Sequence, residues 1–125
     1  MKKSNFQNVK KSKVFNLRGP FQEGCCWVVS RGKWFHVDVF GKPLYFETFD
    51  FVGNFSEGLA PARMGKSWFH ITKDGQPAYS QRYDWVSSFS KGIALAFKGN
   101  RFALINKKGE IICFIDEIFS KAVVD

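Results

Sequence analysis

The stretch Phe21-Gln22-Glu23-Gly24 returns as Phe55-Ser56-Glu57-Gly58 and again as Phe89-Ser90-Lys91-Gly92, each copy 34 residues after the last. The rest of the unit follows in the same register. Trp34-Phe35-His36-Val37 matches Trp68-Phe69-His70-Ile71 and, more loosely, Phe102-Ala103-Leu104-Ile105, while Gly41, Gly75 and Gly109 align, as do Pro43 and Pro77. Phe49-Asp50-Phe51-Val52 matches Tyr83-Asp84-Trp85-Val86, and a partial earlier copy stands in Phe15-Asn16-Leu17-Arg18-Gly19-Pro20. Agreement at this many positions without an insertion makes the chain a tandem repeat.

A 34-residue period also suits helical repeats, so composition within the unit must arbitrate. Each unit holds at least three glycines or prolines and alternates apolar and polar residues with period 2, where a helix would space apolar residues at i, i+3 and i+4. Trp34, His36 and Asp38 project to one side of a strand, with Phe35, Val37 and Val39 on the other. Gly58 to Met64 and Gly92 to Lys98 read as strands joined to the next by Gly65-Lys66 or Gly99-Asn100. Asp74-Gly75 then predicts a two-residue hairpin, because both central residues of such a turn take positive φ. The expected fold class is therefore all-β, an open, solenoid-like array of tandem 34-residue meander or hairpin repeats. Three units and a fragment fall short of the four blades of a closed propeller. The units are 21–54, 55–88 and 89–122, within one domain at 15–125 preceded by a basic tail at 1–14.

The frame Phe-Ser-Glu-Gly-Leu-Ala, then Gly-Lys-x-Trp, then a Lys-x-Gly turn and Tyr-Asp-x-Val, resembles the WG-repeat (KWG-repeat) family of bacterial proteins over roughly residues 15 to 119. The Trp-Gly pair that names the family is here Trp34-Phe35, Trp68-Phe69 and Phe102-Ala103, so the chain reads as a divergent member. The resemblance implies an all-β array used as a binding or scaffolding module, with no shared reaction.

Small residues on one face of the first strand, Ala60, Ala62, Ala94 and Ala96 aligned with Cys26 and Val28, predict a neighbour packed close. Cys25, Cys26 and Cys113 read as buried reduced thiols, which fits a cytoplasmic protein. No run of apolar residues is long enough to span a membrane, and the charged N-terminus lacks the apolar segment of an export signal. His36 and His70 occupy equivalent positions, but Leu104 stands there in the third copy, so both read as packing residues. Glu23 and Glu57 read as turn or cap residues. No nucleophile elbow, phosphate loop or metal-spaced set is legible. The expectation is a non-enzyme with no metal and no cofactor.

Charge sorts by register. Nineteen basic and 11 acidic residues give a net charge of +8. Residues 1–20 carry six of the basic residues and no acid, so residues 21–125, with 13 basic and 11 acidic, are nearly neutral. Each first hairpin tip carries two cations, Arg31 and Lys33, Arg63 and Lys66, Lys98 and Arg101, while the acids fall in the inter-unit segments, at Glu47, Asp50, Asp84, Asp116 and Glu117. Stacked units would line the six cations into a stripe, either a solvated edge guarded against aggregation or an anion-binding edge. Trp27 and Trp85, which replace non-tryptophan residues of the other copies, are the aromatic contact candidates. The leading expectation is a protein-binding module. The alternative is a nucleic-acid binder using the tail and the stripe, and polymer recognition by Trp27, Trp34, Trp68 or Trp85 would need export. The apolar end at Ile111 to Ile115, Ile118 and Phe119 needs a cover, from the chain itself or by self-association.

Overall fold

The computed structural model describes residue 15 and residues 17–124, with side chains as far as residue 119. The tail at 1–14 lies outside the described residues. Among the described residues, ten strands and one helix follow in chain order: β1 Leu17–Arg18, β2 Cys25–Ser30, β3 Lys33–Asp38, β4 Phe51–Val52, β5 Ala60–Met64, β6 Ser67–Ile71, β7 Trp85–Val86, β8 Ala94–Lys98, β9 Arg101–Ile105, β10 Ile111–Phe114 and α1 Ile115–Val124. They form three antiparallel sheets, β1-β2-β3, β4-β5-β6 and β7-β8-β9-β10. The all-β reading of the repeats holds.

Each sheet is built on the alternating hairpin that the sequence announces, with Cys25 opposite Asp38 through to Ser30 opposite Lys33 in the first, and Ala60 opposite Ile71 through to Met64 opposite Ser67 in the second. The short outer strand of each sheet comes from the end of the preceding copy. Leu17, Phe51 and Trp85 open these strands at 34-residue intervals and pair with β2, β5 and β8. A sheet thus straddles two sequence units, which ties neighbouring copies together covalently and by hydrogen bonds. Further bonds cross between sheets: the backbones of Trp34 and Phe49 exchange two hydrogen bonds of 2.9 Å, and Trp68 and Tyr83 do the same.

The core is continuous from Cys25 through Phe55 and Phe89 to Ile105. Ala60, Ala62, Ala94 and Ala96 are buried within it, as their small size predicts. Cys25 and Cys26 are buried too, and burial raises both thiols above their ordinary range. Cys113 is only partly buried.

Two local expectations are corrected. The Asp74-Gly75 turn is not the two-residue type: Gly75 N–H donates to Thr72 O at 2.9 Å and Thr72 N–H to Gln76 O at 2.9 Å, so the loop holds three residues. Only Gly75 takes positive φ there, and Asp74 does not. This is a turn closed by a left-handed glycine bulge. Its capping residue stands one position before the turn, at Asp38, Thr72 and Asn106, whose side-chain oxygens accept turn N–H groups. Secondly, the third copy does not run to residue 122 as strand and turn. Where Phe49-Asp50 and Tyr83-Asp84 lead into an outer strand, Glu117-Ile118 lies in α1, which has Asp116 and Glu117 in its first turn, a favourable place for acids. This helix packs on β9 and β10, while Ile111, Ile112, Ile118 and Phe119 stay exposed at this end. Among the described residues no helix is long and apolar enough to cross a membrane.

Candidate functional site

Three sets of side chains recur in register, and two of them span copies. His36 lies on β3, fully buried, with Nδ1 2.6 Å from Tyr45 Oη and Nε2 2.8 Å from the carbonyl oxygen of Gly53 in the next sheet. A carbonyl only accepts, so Nε2 carries the proton and Nδ1 accepts from the tyrosine hydroxyl. His70 repeats the arrangement with Tyr79 at 2.5 Å and Ser87 O at 2.8 Å. Phe55 and Phe89 lie against the two imidazoles with centroids 4.4 Å away. Burial pushes both histidines down to about 4 and raises the tyrosine hydroxyls, so all four groups are neutral at pH 7. Both nitrogens of each ring are engaged. These histidines are staples between sheets, with no lone pair left for a metal or a substrate proton. In the third copy both partners change together, to Leu104 and Cys113.

The second set runs along the Glu-Gly turns. The Glu23 carboxylate accepts from the backbone N–H of Glu57 at 2.7 Å and of Gly58 at 3.0 Å, one full repeat away. Glu57 accepts in the same way from Lys91 and Gly92 N–H, and the Gly92 bond measures 2.9 Å. The two turn residues that donate have positive φ in every copy, 57° and 84° at Glu57-Gly58, so their N–H groups converge on one oxygen pair. Lys73 bonds Glu23 O and pairs with its carboxylate at 3.6 Å, and Lys107 does the same for Glu57 at 3.4 Å. The Gly92 and Lys91 N–H groups and Lys107 hold the Glu57 carboxyl below its ordinary range. Each Glu is therefore a clasp on its successor.

The hairpin-tip cations are placed with acids between them. Asp50 and Asp84, inter-unit residues in the sequence, return to the tips, where they accept from Gly65 N–H at 2.7 Å and Gly99 N–H at 3.1 Å. Lys33 pairs with Asp50 at 3.7 Å. Arg63 Nη1 donates to Gly65 O, and Lys98 Nζ donates to Arg82 O. Arg101 grips Asp116 with two donors at 3.1 and 2.9 Å and lies 3.7 Å over the Phe114 ring, fixing α1 to β9. Arg31 and Lys66 alone of the six have neither an ion pair nor a hydrogen-bonded side chain among the described residues. The edge is thus a chain of alternating charges.

Aromatic rings follow one another along the array: Trp27 to Trp34 at 4.9 Å, Trp34 to Phe51 at 4.8 Å, Phe51 to Trp68 at 5.3 Å and Trp68 to Trp85 at 6.5 Å between centroids. Phe51 and Trp85, from the outer strands, alternate with Trp34 and Trp68 from the hairpins. Trp27 is half-buried over Gly19, where its indole occupies the space of a Cβ. Trp85 is exposed and opens a hollow of about 480 Å³ with Leu95, Phe97 and Phe102, Phe97 and Phe102 being stacked at 4.7 Å.

The family described as the WG-containing repeat matches residues 47–68 and 71–102, two adjacent segments that take in Glu57 with its acceptor turn at Lys91-Gly92 and most of this aromatic run. These two matched segments are similar to the WG-containing repeat. No curated protein and no solved structure matches the chain. Phe97, Phe102 and Leu95 are the residues of the matched segments that sequence reasoning passed over as contacts. Phe97 stands where the earlier repeats have Val29 and Arg63, and that local rise in aromatic content beside Trp85 was the available signal.

Proposed function

We propose that this array is a non-catalytic binding module whose contact surface is the aromatic run, with the hollow at Trp85, Leu95, Phe97 and Phe102 as the anchor for an apolar side chain of a partner protein. The hollow carries the reading: its walls are almost wholly apolar, and Trp85 and Phe102 keep 38% and 45% of their surface in water although each lies beside other aromatics. Exposed clustered aromatics are what hot spots of protein interfaces consist of. The histidines support the non-catalytic part, being buried and occupied on both nitrogens. Charge alternation at the hairpin tips weakens the phosphate-binding alternative, since Asp50, Asp84 and Asp116 would face the same anion.

Peptides selected from a random display library against the full chain, then measured by calorimetry, test this reading. Trp85→Ser and Phe102→Ser should each weaken a selected peptide by roughly thirtyfold. Phe46→Ser, at a fully exposed ring elsewhere on the surface, should leave it unchanged. Peptides indifferent to Trp85 and Phe102, or salt-sensitive binding of single-stranded RNA or DNA that survives both substitutions, would remove the proposal.

A further inference from the structure

Among the described residues, the first of the turns that receive the clasp has no donor glutamate. Three turns share one backbone form, with φ of 54° and 82° at Glu23-Gly24, 57° and 84° at Glu57-Gly58, and 53° and 78° at Lys91-Gly92. The second and third turns each receive a glutamate carboxylate through their two central N–H groups. The first turn is closed by the same pair of bonds, between Gln22 and Cys25 at 2.8 and 3.2 Å, yet the Glu23 and Gly24 N–H groups meet no acceptor among the described residues. The space above Gly24 is open, with nothing within 4 Å of where a Cβ would stand.

Two further observations say what belongs there. Beside the turn lies the face of the first sheet that in later sheets packs on the preceding copy. In the first sheet, Cys26, Val28 and Val37 form a separate small core, fronted by a hollow of about 340 Å³ that the exposed Phe21 and Phe40 help to line. Residues 1–20 carry six basic side chains and no acid, so the segment leading into this turn is strongly basic and holds no side-chain carboxylate for it. A second copy is a poor donor through its last turn, because Lys91 stands where the donor glutamate would be.

We propose that the Gln22–Cys25 turn is a carboxylate-binding site that takes a glutamate side chain from an acidic partner protein, presented on a β-turn as Glu23 and Glu57 are presented within this chain. The adjoining apolar face receives the strands that flank that turn. The site differs from the aromatic hollow and stands or falls apart from it.

The test is an amide-resolved NMR titration of the full, ¹⁵N-labelled chain with the α-amide of N-acetylglutamate, and with the corresponding glutamine amide as neutral control. Saturable shifts at the Glu23 and Gly24 amides with the carboxylate alone are expected, while Glu57, Gly58, Lys91 and Gly92 stay still. In a Glu57→Ala variant, Lys91 and Gly92 should begin to respond, since the same kind of turn is then vacated. A disulfide-closed peptide displaying Ser-Glu-Gly-Leu at its turn should bind at least tenfold more tightly than the amino-acid amide, and its Gln analogue should not bind. Silence at Glu23 and Gly24, equal binding of the Glu and Gln peptides, or a response that appears only after residues 1–14 are deleted would each overturn the proposal. The last outcome would make the chain's own tail the occupant.

Discussion

His36 lies in the first sheet and Gly53 directly follows β4 of the second, and the 2.8 Å hydrogen bond from imidazole Nε2–H to the Gly53 carbonyl is a buried polar link between the two sheets. Its counterpart, His70 to Ser87 O, is identical in length. A polar bond of this kind holds the sheets in one register, since sliding them would strand a buried carbonyl and a buried N–H together.

The same bond makes stability depend on pH. Burial lowers His36 and His70 from an ordinary 6.5 to about 4, so between these values the unfolded chain binds more protons than the folded one. Stability is then complete above about pH 6.5 and falls as the pH drops towards 4, by roughly 3 kcal/mol per histidine at the limit. Urea unfolding at a series of pH values from 7.5 to 4.5 should show the midpoint falling with acidification. The double variant His36→Leu, His70→Leu, less stable at pH 7.5, should show a flatter profile. An unchanged slope in that variant would place the acid sensitivity elsewhere.

Removing the hydroxyl from Tyr79 tests the other half of the staple. In Tyr79→Phe the His70 Nδ1 loses its only donor inside the core, and a buried unsatisfied acceptor costs about 1–3 kcal/mol. Chemical denaturation of this variant and of Tyr45→Phe should give similar losses, because the two sites are the same structure repeated.

Steric clearance at two glycines differs sharply and gives a paired comparison. A Cβ at Gly109, where φ is 76°, would enter the Tyr79 ring of the preceding copy, whereas a Cβ at Gly58, where φ is 84°, meets nothing within 4 Å. Gly58→Ala should cost about 1–2 kcal/mol for the left-handed backbone alone. Gly109→Ala adds the overpacking and should cost about 2–5 kcal/mol. Thermal melts of the two variants side by side decide it.

The carboxylate clasp has a local readout. Glu57→Ala should speed hydrogen exchange at the Lys91 and Gly92 amides by roughly tenfold while leaving the Glu57 and Gly58 amides, still held by Glu23, unchanged. Equal acceleration at both turns would mean that the copies loosen as a whole.

The repeat, its strands and its buried small residues were legible because turn chemistry and period-2 alternation act locally, within a few residues. The partners of Glu23 and His36 were not, because Glu23 reaches Glu57 and Gly58, 34 and 35 residues away in the next copy, and His36 reaches Tyr45 and Gly53, 9 and 17 residues on, through a loop and the next sheet. Read alone, such residues look like packing and turn positions. A signal was nevertheless present: His and Tyr change together in the third copy, to Leu104 and Cys113, as residues in contact do, and Lys91 replaces the clasp glutamate there. The acids placed away from the basic tips by sequence returned to them, because the segment carrying Asp50 and Asp84 closes each sheet at the tip of its own hairpin. The helix escaped notice for a related reason. Without a hairpin to pair with, the residues after Phe114 are released from the strand pattern that the first two copies impose.

One consequence of Lys91, Leu104, Cys113 and α1 standing together in the last copy concerns length. The middle unit, 55–88, is the one that both receives a clasp from its predecessor and offers one to its successor. Its two sides are mutually complementary, so the chain contains an internal module that fits itself. Copied in series, that module would lengthen the ladder by whole units while the third copy went on closing it, which makes repeat number a property that gene duplication can change without inventing a contact.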